Sequence, residues 1–279
     1  MKITIAKTAG FCFGVKRAID ITFDLARDRN EGIYTYGPLI HNPQVVSELE
    51  QKGVNASTDL YSPDIKTLII RTHGVGPETY AETSKMGYSV IDATCPFVKK
   101  AQKYAKALKD EGYQVLIIGD RLHPEVQGLI GFSGEDAIVA GNAENLTHLK
   151  KKVGIIVQTT QSFDTFREVV LQVISSAREV KIYNTICDST TQRVRETKKV
   201  AEKVDLMIIV GGKNSANTNQ LVKLSKKVCA IVHHIEVADE IKDEWFDKAE
   251  SIGITGGAST PQWIIDDVEE KIREISVRR

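Results

Sequence analysis

A pattern of strand, turn, cysteine and helix occurs three times in this chain of 279 residues. Around Cys95, residues 88–91 read as a buried strand, and Pro96 opens a helix at the position where its missing N–H costs nothing. Phe97, Val98, Ala101, Tyr104, Ala105 and Leu108 then recur at helical spacing, which predicts that they form a core face. Cys12 and Cys187 stand in the same context: residues 2–6 and 180–186 lead into them as strands, and helices follow over about 13–27 and 188–204. From each cysteine to the glycine ending the next strand (Gly37, Gly119, Gly211) the separation is 25, 24 and 24 residues. Four residues beyond each glycine stands a polar turn residue: His41, His123 and Ser215. Agreement at two internal spacings points to an internal threefold repeat, because a fixed period is the signature of repeated structural units.

Each unit alternates strand and helix, which predicts a small parallel α/β domain. The expected boundaries are residues 13–95, 96–187 and 188–279, the last completed by a strand from residues 1–12. Such a division suits a chain longer than one hydrophobic core holds. Further helices are expected to open at Asn42-Pro43, Gly76-Pro77, Ser162 and Thr260-Pro261. Ligands of parallel sheets sit at the carboxyl ends of the strands. In every unit those ends carry the cysteine and the polar turn residues.

Composition narrows the partners. Lys+Arg 37 balances Asp+Glu 37, which argues against a nucleic acid or an anionic membrane as the main partner. No apolar run reaches a membrane span. The start, MKITIAKTAGFCFG, lacks the continuous apolar stretch of a signal peptide, so a cytoplasmic location is expected. Four cysteines in a chain of this length do not read as a disulfide scaffold; metal binding or catalysis is the expected use.

The chemistry follows from which residues stand at helix starts. There a cysteine is favoured as thiolate by the helix dipole. Three domains facing one axis would offer three thiolates, from Cys12, Cys95 and Cys187, to one metal centre. Iron–sulfur clusters usually take four cysteines, so three would leave one iron open to substrate. Taken singly, each cysteine reads equally well as a small buried hydrophobe. Cys229, within the apolar stretch VCAIV, reads as a buried strand residue outside the repeat. His41, His73, His123, Ser215, Asn217 and Ser259 stand at or near helix starts, where free N–H groups and the dipole hold anions. The plain alternative is that they are caps and packing residues. Glu125 lies in a first helical turn, as a dipole partner or, beside a metal and an anion, as a proton donor. Thr159 or Thr160 could link it to a ligand, or simply end a strand. HGVGPET and VGGKNS lack the full glycine spacing of dinucleotide and nucleotide loops, so no nicotinamide or ATP site is evident. The lysines of KKAQKYAKALKD form a solvated face or a dock for an acidic redox partner. A three-cysteine zinc hydrolase and a non-catalytic iron–sulfur sensor are the rival readings.

GFCFGVKRAI, GPLIHNPQVV, RTHGV, DATCPFV, GDRLHPEVQG, QTTQS, TICDSTTQR, GGKNSANTNQL and GGASTP together resemble the LytB family of 4-hydroxy-3-methylbut-2-enyl diphosphate reductases, over essentially the whole chain. The resemblance implies an oxidoreductase of the non-mevalonate isoprenoid pathway that makes isopentenyl and dimethylallyl diphosphate by two-electron reductive dehydroxylation. It implies a trefoil of three α/β domains around a central [4Fe-4S] cluster on Cys12, Cys95 and Cys187. It further implies that the diphosphate is held by His41, His73, His123, Ser215, Asn217 and Ser259, with the backbone N–H of Ala216, and that Glu125 delivers protons through Thr159. Ferredoxin or flavodoxin would supply the electrons. Two positions depart from the family pattern. Ala216 stands where a second serine is common, and Ser189 where alanine is common, which touches phosphate affinity and not the reaction class.

Overall fold

Runs such as residues 115–118 and 206–210 are wholly buried, as befits strands of a parallel sheet covered on both faces. The computed structural model describes residues 1–28, 31–144 and 146–278. In chain order the strands are β1 (Lys2–Ile5), β2 (Ile33–Tyr36), β3 (Val54–Ser57), β4 (Thr67–Ile70), β5 (Ser89–Asp92), β6 (Gln114–Ile118), β7 (Ile138–Ala140), β8 (Lys152–Val157), β9 (Glu179–Ile182), β10 (Leu206–Val210), β11 (Ile231–Ile235) and β12 (Ser251–Gly256). The helices are α1 (Phe13–Asp28), α2 (Pro43–Gln51), α3 (Pro77–Thr83), α4 (Pro96–Asp110), α5 (Pro124–Ser133), α6 (Phe163–Ile174), α7 (Asp188–Ala201), α8 (Ala216–Ser225) and α9 (Gln262–Val277).

The described strands form three four-stranded sheets, ordered β3-β2-β4-β5, β7-β6-β8-β9 and β11-β10-β12-β1, with every neighbouring pair parallel. The order is the same in each. The strand after the cysteine's helix lies inside, the next at one edge, and the strand leading into the following cysteine at the other edge. β1, which leads into Cys12, pairs in parallel with β12. The chain order reverses between the two inner strands of each sheet, and at that switch point the carboxyl ends leave a crevice for ligands.

Two compact units result: Met1–Lys16, His41–Ser47 and Asp188–Arg279 form one, and Arg17–Ile40 with Glu48–Cys187 the other. In the first, alternate residues of the inner strands face opposite ways. Leu206, Ile208 and Val210 pack with Ile264, Ile265 and Val268 of α9, while Met207 and Ile209 pack with Val200 of α7 and Leu221 of α8. The second unit repeats this around β6 and β8. Leu116, Ile118 and Val157 meet Phe166, Val169 and Val173 of α6; Val115, Ile117 and Ile156 meet Ala101, Ala105 and Leu108 of α4.

Several expectations fail in instructive ways. The strand expected over 180–186 stops at Ile182. Asn184 turns the chain by accepting the Ile186 N–H at 3.1 Å, and the Thr185 hydroxyl takes the Val157 N–H at 2.8 Å in place of a backbone ladder. Phe97 is not a core residue of α4 but is 40 % exposed, whereas Gln102, midway along the helix, is buried and its amide donates to the Val75 carbonyl at 3.2 Å. Cys229 is buried as expected but precedes β11, and its thiol lies against the carbonyls of Val204, Asp205 and Ile231. The helix after Cys187 ends at Ala201 and not at Val204. Pro261 is the N-cap of α9 and not its first residue. The edge strands β3 and β7 carry short or polar sequences and give no periodic signal.

Candidate active site

All three repeat cysteines are half-buried thiols standing directly before a helix. Cys95 is the N-cap of α4 with Pro96 at its first position. Each cysteine donates its backbone N–H to the turn that follows an inner strand of the same unit: Cys12 to the Ala258 carbonyl at 3.1 Å, Cys95 to Thr72 at 3.0 Å and Cys187 to Thr159 at 2.9 Å. The carbonyls of Cys12 and Cys95 already accept the first helical bonds, from Lys16 and Lys99 at 2.9 and 3.0 Å. The thiols are therefore held alike, by backbone bonds that leave sulfur out of the secondary structure. As a donor set, soft thiolates suit iron–sulfur chemistry and not hard oxygen-seeking cations. Cys229 has none of this geometry.

In the unit containing α4 to α6, the polar turn residues form one linked group. His123 caps α5, its Nδ1 accepting the Glu125 N–H at 3.2 Å. The His73 ring meets the His123 ring edge-on, with centroids 5.3 Å apart. Glu125 is only 2 % exposed. One of its carboxylate oxygens accepts the Thr159 N–H and the other the Thr159 hydroxyl, both at 2.7 Å. Burial pushes its pKa up to about 7, against the two Thr159 hydrogen bonds that favour the carboxylate. A carboxyl balanced near neutrality and bonded to a hydroxyl can both hold and pass a proton. Thr160 takes a different role: its hydroxyl accepts from the Gln158 amide at 3.0 Å, and the Gln158 side-chain oxygen accepts the Asp120 N–H at 2.9 Å. A Cβ on Gly119 would fall 2.7 Å from that oxygen, so the glycine ending β6 is needed for this close approach.

The other unit gathers His41, Ser215, Ala216, Asn217 and Ser259. Ser215 caps α8 by accepting the Thr218 N–H at 3.3 Å, and Ala216 is the first helical residue. Asn217 accepts the Ala258 N–H at 2.9 Å through its side-chain oxygen; its buried amide nitrogen has no hydrogen-bond partner. A buried amide donor without a partner costs about 1–3 kcal/mol, which a bound acceptor would recover. Ser259 donates its hydroxyl to the His41 carbonyl at 3.1 Å. With the α8 N-terminus, this assembly fits an anion. A Cβ on Gly212 would stand 2.5 Å from the same His41 carbonyl oxygen. Gly212→Ala should therefore displace His41 and cost about 1–3 kcal/mol in denaturant unfolding. The same change should weaken inorganic diphosphate binding in calorimetry; an unaltered affinity would separate His41 from the anion site.

The other three histidines, His148, His233 and His234, lie outside the repeated positions. His233 and His234 lie on β11, His233 stacked on Trp245 at 3.7 Å and His234 Nε2 hydrogen-bonded with the Gly211 carbonyl at 2.8 Å. His148 lies outside the described helices and strands and has φ of 62°. Lys99 pairs with Asp92 at 2.7 Å and Lys106 with Asp110, so part of the basic face of α4 is balanced locally. Sequence reasoning missed Arg193, which is 3 % exposed. Its signal was a cation within TICDSTTQR at a core-facing helical position.

The model of the family described as LytB protein matches residues 3–273. The chain is 46% identical over 278 residues to a 4-hydroxy-3-methylbut-2-enyl diphosphate reductase of Pelobacter propionicus, covering 99% of each chain. It is 45% identical to the same-named protein of Geotalea daltonii, covering 99% of this chain and 98% of that one. Among solved structures, one of (E)-4-hydroxy-3-methyl-but-2-enyl diphosphate reductase, the terminal enzyme of the non-mevalonate pathway, matches with a TM-score of 0.74 at 43% identity, covering 98% of this chain and 99% of that one. The E-1-hydroxy-2-methyl-but-2-enyl-4-diphosphate reductase of Plasmodium falciparum matches with a TM-score of 0.91 at 27% identity, covering 98% of this chain and 87% of that one.

Proposed function

Because the chain belongs to the LytB family, we propose that it is a 4-hydroxy-3-methylbut-2-enyl diphosphate reductase. It removes the allylic hydroxyl of its substrate with two electrons and two protons, releasing water and isopentenyl or dimethylallyl diphosphate. The observation that carries the reading is the buried Glu125–Thr159 pair, poised near neutral pH and joined through the Thr159 carbonyl to the Cys187 N–H. A structural carboxylate would sit against a cation; this one sits against a hydroxyl that can face a ligand.

Cys12, Cys95 and Cys187 hold a [4Fe-4S] cluster, which when bound supplies the electrons and the Lewis acidity that loosens the allylic C–O bond. Around it the protein binds, orients and protonates. His41, His73, His123, Ser215, Asn217 and Ser259 hold the diphosphate. Asn217 contributes its unpartnered amide donor, and Ala216 its backbone N–H in place of a hydroxyl. Glu125 in its acid form donates to the Thr159 oxygen, and the Thr159 hydroxyl passes its own proton to the substrate side, so two protons each shift once and the net delivery is one proton. Each four-stranded sheet with its helices is one domain in this reading. The electrons arrive singly from ferredoxin or flavodoxin. Among the described residues no helix is long and apolar enough to cross a membrane.

The test is anaerobic purification, measurement of iron and acid-labile sulfide, and reduction of the hydroxylated allylic diphosphate by a viologen dye. Iron and sulfide with dye-driven turnover are expected. Zinc in their place, or a full cluster without turnover, overturns the proposal.

A further inference from the structure

Among the described residues, Arg193 is the one buried arginine or lysine. It projects from α7 with its guanidinium between two backbone carbonyls. Nη1 donates to Gly256 at 2.6 Å and Nη2 to Gly10 at 2.9 Å. Both carbonyls belong to the Cys12 support: Gly10 lies two residues before Cys12, and Gly256 two residues before Ala258, which receives the Cys12 N–H. Nε is fully buried and has no hydrogen-bond partner. The nearest acidic side chain acting on this charge, Glu196, is engaged elsewhere, accepting the backbone N–H groups of Lys7 and Thr8 at 2.8 and 2.7 Å. Burial pulls the Arg193 pKa down to about 10, and the groups that oppose it are Cys12 first and Glu196 second.

A guanidinium out of water, satisfied only by neutral carbonyls, is costly unless an anion lies beside it. The anionic candidate in this part of the fold is the sulfur of Cys12. Two carbonyl bonds also fix the fork, so that its Nε–H cannot turn toward solvent. An orphaned donor and a buried charge, both beside the support of one cysteine, point to a single explanation.

We propose that Arg193 is a positioning and tuning residue for the iron–sulfur cluster: it clamps the Cys12 loop through the Gly10 and Gly256 carbonyls, and its Nε–H donates to the Cys12 sulfur or a neighbouring cluster sulfide. This rests on the cluster reading above. Hydrogen bonds to sulfur and nearby positive charge favour the more anionic, reduced cluster, and so raise its reduction potential. The electron itself comes from the one-electron carrier; the arginine neither gains nor loses one. Because the charge is buried, ionic strength should leave the effect intact.

The experiment uses the cluster-loaded protein grown with 15N-labelled arginine. Pulsed electron paramagnetic resonance of the dithionite-reduced state should show a 15N coupling from arginine that disappears in Arg193→Lys. No arginine coupling in the wild type, or a coupling that persists in Arg193→Lys, overturns the proposal. In a second measurement, Arg193→Gln should make reduction about tenfold less favourable, a fall of about 59 mV for a one-electron couple. An unchanged potential in Arg193→Gln with full iron removes the tuning role. Should that variant lose iron, the wild-type coupling alone decides, and a positive coupling joined to iron loss supports the clamp. Absence of iron and sulfide from the wild type would instead strike the cluster reading itself.

Discussion

Glu125→Gln is expected to lower dye-driven turnover by about 10²–10⁴-fold, the usual contribution of a positioned general acid. Substrate affinity should stay within about threefold, because glutamine has nearly the same shape and can still accept the Thr159 N–H. In the wild type, the acid form of Glu125 is lost as pH rises through about 7, so steady-state turnover should fall over the same range. Stability should move the same way. In the folded protein the carboxyl is raised from its ordinary 4.5 to about 7, so it stays protonated where the unfolded chain has already ionised. The stability present below pH 4.5 is therefore lost as pH rises through about 7. Glutamine carries no such loss. In the cluster-free protein, Glu125→Gln should match the wild type near pH 4 and exceed it at pH 8 by on the order of 3 kcal/mol. Denaturant unfolding at the two pH values measures this. Full turnover in the variant would remove Glu125 from proton delivery, whatever its effect on stability.

Cys95→Ser should abolish dye-driven turnover and strip most iron and sulfide from the anaerobically purified protein. A serine at the N-cap of α4 retains the backbone bond to Thr72 and can cap the helix, so the fold should survive. Circular dichroism close to wild type would show that ligation, and not folding, was lost. Cys229→Ser is the control. Its thiol lies among carbonyls before β11, and replacing it should change iron content little. Iron retained at wild-type level in Cys95→Ser would exclude Cys95 as a ligand.

Local signals were read correctly where their causes lie within a few residues. Cys95 before Pro96, Asn42 before Pro43 and Ser162 before Phe163 each mark a helix start. The Asn42 side chain accepts the Val45 N–H at 3.0 Å and that of Ser162 the Thr165 N–H at 3.0 Å. Buried strands were legible because both faces are apolar. Phe97 was misplaced because helical spacing names a stripe without saying where the stripe meets its neighbour. The strand expected over 180–186 is too long because Asn184 and Thr185 turn the backbone with side-chain bonds that periodicity does not register. Edge strand β11 was read too early because apolar residues around Cys229 outweighed the two histidines that actually lie on it.

The repeated cysteine–helix units, the α/β class and the stock of thiols, histidines, hydroxyls and one acid from which a site could be built are legible in the order of residues alone. Those depend on covalent spacing and on interactions across a turn or two. Which members act on one another emerges only when the chain is folded. Thr159 lies 34 residues from Glu125, yet its two hydrogen bonds and the surrounding packing set that acid near neutrality. Arg193 lies 183 residues from Gly10, yet holds the loop before Cys12. Charge and proton affinity inside a protein follow from what excludes water around a group, and distant segments supply that enclosure only once the chain is folded.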